Sequence, residues 1–216
     1  MLEVIDLCAD WIVAAKPFGV LSEEKDGEAS MPALIRDYLT EAGKPFEAVY
    51  PVHRLDRTTE GLMVYALTKR GAGILSRTVT DGTFHKTYLA YITADESLPT
   101  SGEMRDFLYF DRRRDKAFVV TGGRKGAKEA ILTYTLDEPF EWRGHSLTPA
   151  RIELLTGRTH QIRVQFASRR SPLAGDGKYG SRVNFKGASL FCVGLQFPWE
   201  GEEKKYSREI PVNSEI

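Results

Sequence analysis

PVHRLDRTTEGLMVYALTK, residues 51–69, decides how the rest of this chain is read. Residues 62–67 are apolar at every position, the pattern of a strand covered on both faces. The polar turn Thr58-Thr59-Glu60-Gly61 leads into it. Before the turn, His53-Arg54-Leu55-Asp56-Arg57 crowds a histidine and three charges between apolar residues. An ionised carboxylate at the margin of a core is costly unless it is partnered. A loop-end salt bridge between Arg54 and Asp56 is the plain structural reading; a chemical role for Asp56 is the other.

Working outward, residues 4–7 and 11–15 read as short strands around a turn at Asp10, followed by the turn Lys16-Pro17-Phe18-Gly19. Ser30 reads as the N-cap of a helix carrying Leu34, Ile35, Tyr38 and Leu39 at helical spacing, closed by Gly43. Downstream, residues 71–80 form a second helix with Ile74, Leu75 and Val79 inward. A strand over 84–93 puts Phe84, Lys86, Tyr88, Ala90 and Ile92 on one face. Residues 94–103 read as a polar loop, 105–121 as a hairpin around 111–115, and 130–136 and 145–155 as long strands linked by 138–144. A helix over 159–168, capped by Thr159, and a closing strand over 190–197 complete the pass. Strands outnumber helices, and the helices are irregularly interspersed. The prediction is an α+β fold: a mainly antiparallel mixed β-sheet core flanked by helices and loops. It forms one domain over residues 1–216, or two small subdomains sharing one sheet.

The chain has 216 residues, 42% hydrophobic and 11% aromatic, enough for a packed core. No window approaches a membrane span, and MLEVIDLCADW lacks a signal-peptide pattern, which points to the cytoplasm. Cys8 and Cys192 sit in apolar, strand-like contexts and read as buried free thiols. No CxxC pair offers a zinc site. Formal net charge is zero, but unevenly spread. Residues 1–30 hold seven acids against two lysines. Residues 105–128 hold eight bases against three acids, and residues 151–186 eight against two. Two basic segments in a neutral chain are suited to a polyanion.

Three further segments are unusual for scaffolding. Phe84-His85-Lys86-Thr87-Tyr88 sets a lysine between aromatics on one strand face. In Leu155-Thr156-Gly157-Arg158-Thr159-His160-Gln161-Ile162-Arg163, a strand ends and a helix begins, with Arg158, His160, Gln161 and Arg163 in its first turn. Helix N-termini already attract anions, and arginines there oppose the usual preference for acids. Gly175-Asp176-Gly177-Lys178-Tyr179-Gly180 is a tight loop that matches neither a Walker loop nor a dinucleotide fingerprint.

Taken in order, HRLD with its following turn to Gly61, Lys86-Thr87-Tyr88, GRTHQIR over 157–163, the 175–180 loop and Lys16-Pro17-Phe18-Gly19 resemble the RluA-type RNA pseudouridine synthases. The match spans nearly the whole chain. Two positions depart: Glu60 stands where that family usually has Ser, and Gln165-Phe166 where it usually has a pair such as His-Leu. The resemblance implies isomerisation of a uridine in RNA to pseudouridine, with Asp56 as the catalytic carboxylate. Asp56 either attacks C1′ or removes a proton from C2′; the residues leave both open. By the same resemblance Arg163 pairs with Asp56 and Arg158 contacts phosphate, although the two are interchangeable at this point. Tyr88 stacks on the target uracil and relays the C5 proton, and Lys86 holds the polar network of its strand. Arg54 fills the space left by a flipped nucleotide. His53, His160 and Gln161 complete the RNA- and substrate-binding set. The chemistry calls for no cofactor and no metal. The implied partner is RNA, ribosomal or transfer; no membrane partner is expected, and the expected state is a monomer without an S4 domain. The alternatives are a catalytically inactive RNA-binding protein that keeps the family fold, and a small hydrolase using His53 or His160. The second lacks a nucleophile elbow.

Overall fold

The computed structural model describes residues 2–210. In chain order the elements are β1 (Glu3–Leu7), β2 (Trp11–Lys16), α1 (Met31–Glu41), β3 (Tyr50–Pro51), β4 (Glu60–Ala66), α2 (Lys69–Thr80) and β5 (His85–Ile92). There follow β6 (Ser101–Asp111), β7 (Lys116–Val120), β8 (Lys128–Leu136), β9 (Phe140–Trp142), β10 (His145–Leu154), α3 (Gln161–Ser168), β11 (Leu190–Trp199) and β12 (Glu202–Ser207). No helix among the described residues is long and apolar enough to cross a membrane.

The chain divides into two compact units, residues 2–86 with Phe191–Glu209, and Thr87–Leu190. In the first unit the strand order is β1-β2-β4-β11, with β12 beside β11 and β3 beside β4. Every pair there is antiparallel except β4 with β11. Nearly every residue of β2 and β4 is buried, as their unbroken apolar runs require. The buried stripe of α1 is Met31, Ile35 and Leu39, at four-residue spacing. Ser30 is its N-cap with extended backbone but makes no side-chain cap bond; Pro32 presets the first turn. Thr68 caps α2 by accepting from Gly71 N–H at 3.0 Å. The buried stripe of α2 is Gly71, Leu75 and Thr78. Val79, expected inward, lies one position beyond that stripe and is 41% exposed. Trp11 meets Phe197, Trp199 and Tyr206 edge-on at centroid distances of 5.7, 6.0 and 6.0 Å. Cys192 is buried, but Cys8 is only half-buried, because β1 lies at the sheet margin.

In the second unit the order is β5-β10-β8-β6-β7, with β9 on β10, and all pairs are antiparallel. The expected hairpin is present, with Asp111 opposite Lys116. β6 begins at Ser101, so the expected polar loop ends three residues early. Leu108, Ala117, Ala130, Val164 and Tyr179 form a buried cluster that Phe110 and Ala167 extend. Both units are therefore built from largely antiparallel strands with helices set against them. This is the α+β organisation expected.

Candidate active site

The opening motif lies in the first unit, between β3 and β4. His53 and Leu55 are buried, Arg54 and Arg57 are exposed, and Asp56 is half-buried. Ser22 clamps the centre of the motif: the hydroxyl donates to Leu55 O at 2.8 Å and accepts from Leu55 N–H at 3.0 Å. Thr59 N–H then donates to Asp56 O at 3.0 Å and closes a turn. The turn thus spans 56–59, two residues earlier than the sequence suggests, and β4 starts at Glu60. Gly61 explains the shift. Its φ is 112°, and a Cβ there would stand 2.2 Å from Cys192 O. The glycine serves the close approach of β11 to β4 rather than the turn.

Lys16, only 1% exposed, closes β2 beside this turn. Its Nζ donates to Pro17 O at 3.1 Å, Val20 O at 2.7 Å and Arg57 O at 3.1 Å. Gly19 N–H also donates to Arg57 O, at 3.0 Å. Arg57 answers with Nε to Gly19 O at 3.1 Å and pairs with Glu28 at 2.6 Å. The Lys16–Gly19 turn and the Asp56 turn are therefore one hydrogen-bonded piece. Burial pulls the Lys16 ammonium down from 10.5 to about 8, against the attraction of Glu60 and then Asp56, with Arg57 adding to the fall. Sequence reasoning saw Lys16 only as part of a turn. The available signal was a lysine ending an apolar strand.

His53 accepts from Val64 N–H through Nε2 at 3.3 Å, so Nδ1 carries the proton, and Nδ1 has no hydrogen-bond partner among the described residues. Its ring lies 5.2 Å from that of Phe84. Burial, and secondarily Lys86, hold its pKa well below 6.5. At 6% exposure it anchors the motif to β4. Arg54 is exposed and pairs with Glu23 at 3.0 Å. Lys86 is half-buried, and its ammonium has no hydrogen bond or ion pair among the described residues. Burial lowers its pKa, opposed by Cys192.

In the second unit Tyr88 is 4% exposed on β5, opposite Ile152 of β10. The GRTHQIR segment departs from expectation at the start of the helix. α3 begins at Gln161, and Thr159 is not its cap. His160 occupies that place in left-handed backbone with φ 56°. Arg158 therefore lies outside the first turn, exposed, with Nε donating to Glu129 O at 2.9 Å. No side chain caps α3; the side chain of Gln161 instead ties the helix start to β8 and the loop before it. Its Oε1 accepts from Thr156 Oγ1 at 2.8 Å and from Arg158 N–H at 2.9 Å, and its Nε2 donates to Ile131 O at 3.1 Å. At 2% exposure it is part of the frame of the helix start.

Arg163 is held by Asp176 through two bonds, Nε to Oδ2 at 2.6 Å and Nη2 to Oδ1 at 2.8 Å, both residues being buried. The 175–180 loop supplies further ties. Tyr179 OH accepts from Ala117 N–H at 2.7 Å and lies 3.0 Å from His160 Nδ1. The Arg163 guanidinium is 5.1 Å from the centroid of the Tyr179 ring. Lys178 Nζ binds Asp115 at 2.6 Å. The loop thus joins the β6–β7 hairpin to α3. Gly175 permits it, since a Cβ there would meet Gly187 O at 2.0 Å. Asp176 is the residue whose role sequence reasoning missed. A lone acid between glycines in a basic segment was its signal. No group of three His, Cys, Asp or Glu among the described residues is arranged to hold a metal.

Residues 10–168 match the family model described as RNA pseudouridylate synthase. An uncharacterised RNA pseudouridine synthase of Haemophilus influenzae is 31% identical over 190 residues, covering 84% of this chain and 75% of that protein. Ribosomal large subunit pseudouridine synthase D of Xanthomonas campestris is 34% identical over 93% of this chain, which spans 63% of that protein's length. The Vibrio cholerae protein of the same name is 33% identical over 94% of this chain and 65% of its own length. Among solved structures, human RNA pseudouridylate synthase domain containing 1 shares the fold with a TM-score of 0.79 at 22% identity, over 98% of this chain and 84% of that one. With the matched model covering well over half of its residues, the chain belongs to the RNA pseudouridylate synthase family.

Proposed function

We propose that this chain converts a uridine within structured RNA to pseudouridine, with Asp56 as the catalytic carboxylate. The observation that carries this reading is the hold on Asp56. Ser22 fixes the residue before it and Lys16 and Gly19 the residue after it, while the carboxylate itself stays half-buried at the margin of an apolar unit. Such restraint on a short acid suits a group that must meet a reacting carbon. The N1–C1′ bond breaks, the uracil turns, C5 bonds to C1′, and the C5 proton is lost while N1 gains one. Asp56 acts by attack at C1′ or by taking a C2′ proton; both need it ionised. The target nucleotide must leave its stack to be reached. We assign Tyr88 to the ring face of the uracil, Arg163 to negative charge on the reacting group, and Arg54, Lys86 and Arg158 to the RNA backbone. His160 supports Tyr179. We further propose ribosomal RNA as the first substrate to test, since two relatives are named for the ribosomal large subunit, with transfer RNA second. The protein is taken to act in the cytoplasm as a monomer.

Carbodiimide mapping of pseudouridine in total RNA tests this, comparing cells with the gene, without it, and restored with wild type, Asp56→Asn or Asp56→Ala. One uridine is expected to lose its modification and to regain it with wild type alone. In vitro both variants should be slower by at least about 1,000-fold, the scale of losing a catalytic carboxylate. Restoration by Asp56→Asn, or an unchanged map, overturns the reading.

A further inference from the structure

We infer that the seam between β1 and β12 is a binding site for an arginine side chain of a partner protein. The inference goes beyond the isomerase reading and does not depend on it. β1 and β12 are edge strands of the first unit. They meet through side chains: Tyr206 OH donates to Asp6 Oδ2 at 2.7 Å, and Arg208 gives two bonds to Glu3, at 3.1 and 2.9 Å. Beside these bonds lies a cavity of about 300 Å³ whose lining includes Asp6, Trp11, Trp199, Glu200, Glu202 and Lys204. That is the lower end of the range for ligand pockets, a size for one long side chain.

Two groups in this lining lack what their chemistry asks for. Trp11 is 2% exposed, and its indole N–H has no hydrogen-bond partner among the described residues. A buried donor left unpaired is costly. Phe197, Trp199 and Tyr206 already meet the Trp11 ring edge-on, so an acceptor reaches the indole from the cavity. Asp6 is the second group. Its carboxylate accepts from Leu7 N–H at 2.8 Å and from Tyr206 OH, both neutral donors, and it forms no ion pair among the described residues. The other carboxylates are answered, Glu202 by Lys204 at 2.6 Å and Glu200 by Arg70. The cavity therefore keeps one uncompensated negative charge, one unpaired donor and two indole rings. A guanidinium next to a peptide carbonyl meets all three. The chain already holds one guanidinium in this way: Arg70 pairs with Asp10 and Glu200 and lies 5.7 Å from the centroid of the Trp199 ring. A guanidinium is also less strongly hydrated than an ammonium and stacks on aromatic rings, which favours arginine over lysine. Asp6, Glu200 and Glu202 would repel RNA phosphate, so the partner is a protein with an exposed arginine.

Titration of the nitrogen-15-labelled full chain with N-acetyl-arginine methylamide tests this, read by NMR on the indole N–H signals of its three tryptophans. The Trp11 signal should move downfield as its N–H gains an acceptor, with half-saturation at about 1–10 mM. The signal of Trp142, in the second unit, should stay in place. Asp6→Asn should weaken binding about threefold. N-acetyl-norleucine methylamide keeps the carbonyl and lacks the cation, and should leave Trp11 nearly unmoved. Spermidine, a cation without a carbonyl, should move it less than the arginine amide does. A Trp11 signal that ignores the arginine amide, or answers the norleucine amide equally, overturns the site, as does binding indifferent to Asp6→Asn. A larger response to spermidine assigns the cavity to a free polyamine and overturns the arginine partner. None of these outcomes bears on pseudouridine formation, which the RNA map decides separately.

Discussion

Keeping His53 neutral and buried gives the first unit a pH-dependent stability of defined sign. Nε2 accepts from Val64 N–H, so protonation would break that bond and place a charge in the interior near Lys86. The folded form therefore refuses a proton that the unfolded chain accepts near pH 6.5. Above that pH neither form binds it, and the contribution is flat. Below it, the unfolded state binds more protons and stability falls by about 1.4 kcal/mol per pH unit. His53→Gln keeps a carbonyl acceptor for Val64 N–H but does not titrate. Urea denaturation at about pH 7.5 and 5 should show wild type losing about 2 kcal/mol more than His53→Gln on acidification. Equal losses in the two proteins would mean that the native histidine takes up its proton freely.

Among the elements, the ones the sequence predicts well are those whose signal is local. β2, β4 and α1 follow from unbroken apolar runs or helical spacing. β12 was missed because EEKKYS has no apolar alternation. It is a charged edge strand paired with β11 through Glu200-Gly201, both with positive φ. The start of α3 was misplaced for a different reason. No side chain caps it; its first residue, Gln161, is fixed by bonds to β8 and the preceding loop, which local spacing does not reveal. The motifs of the site were legible as motifs; their partners were not. Asp176 lies thirteen residues from Arg163, and no spacing rule joins them. That pair carries a prediction. Asp176→Asn removes the whole negative charge that Asp176 presents to the buried Arg163 guanidinium, and should cost about 3–5 kcal/mol in urea denaturation. Replacing both residues together, Arg163→Met with Asp176→Leu, should recover most of that loss, since an apolar pair of similar volume is often neutral. If Asp176→Asn unfolds at the wild-type denaturant concentration, the pair does not hold α3 to its loop.

At the scale of the whole molecule, zero net charge does not decide whether a polyanion is a partner, because ion pairing determines which charges are available. Much of the basic excess counted along the sequence is spent internally. Arg105 pairs with Glu103 and Glu129, Arg151 with Asp137, Arg169 with Asp106, Arg170 with Asp95, and Lys178 with Asp115. Exposed pairs of this kind add little stability, yet they cancel charge that would otherwise meet phosphate. Arg112 and Arg113 in the β6–β7 turn, and Lys125 and Lys128 before and at the start of β8, are exposed and have no carboxylate partner among the described residues. These four should add to Arg54, Lys86 and Arg158 in setting the salt dependence of RNA binding. Each phosphate contact contributes a slope of about 0.7 to 0.9 in log affinity against log salt. Arg112→Gln with Arg113→Gln should therefore flatten the slope by about 1.5, read by fluorescence anisotropy across a potassium chloride series. Arg105→Gln is the control, because its charge is already answered by two glutamates, and it should leave the slope nearly unchanged. A slope indifferent to the double substitution, or one that falls as much for Arg105→Gln, would mean that RNA displaces the internal carboxylates and that pairing in the free protein does not decide which arginines bind.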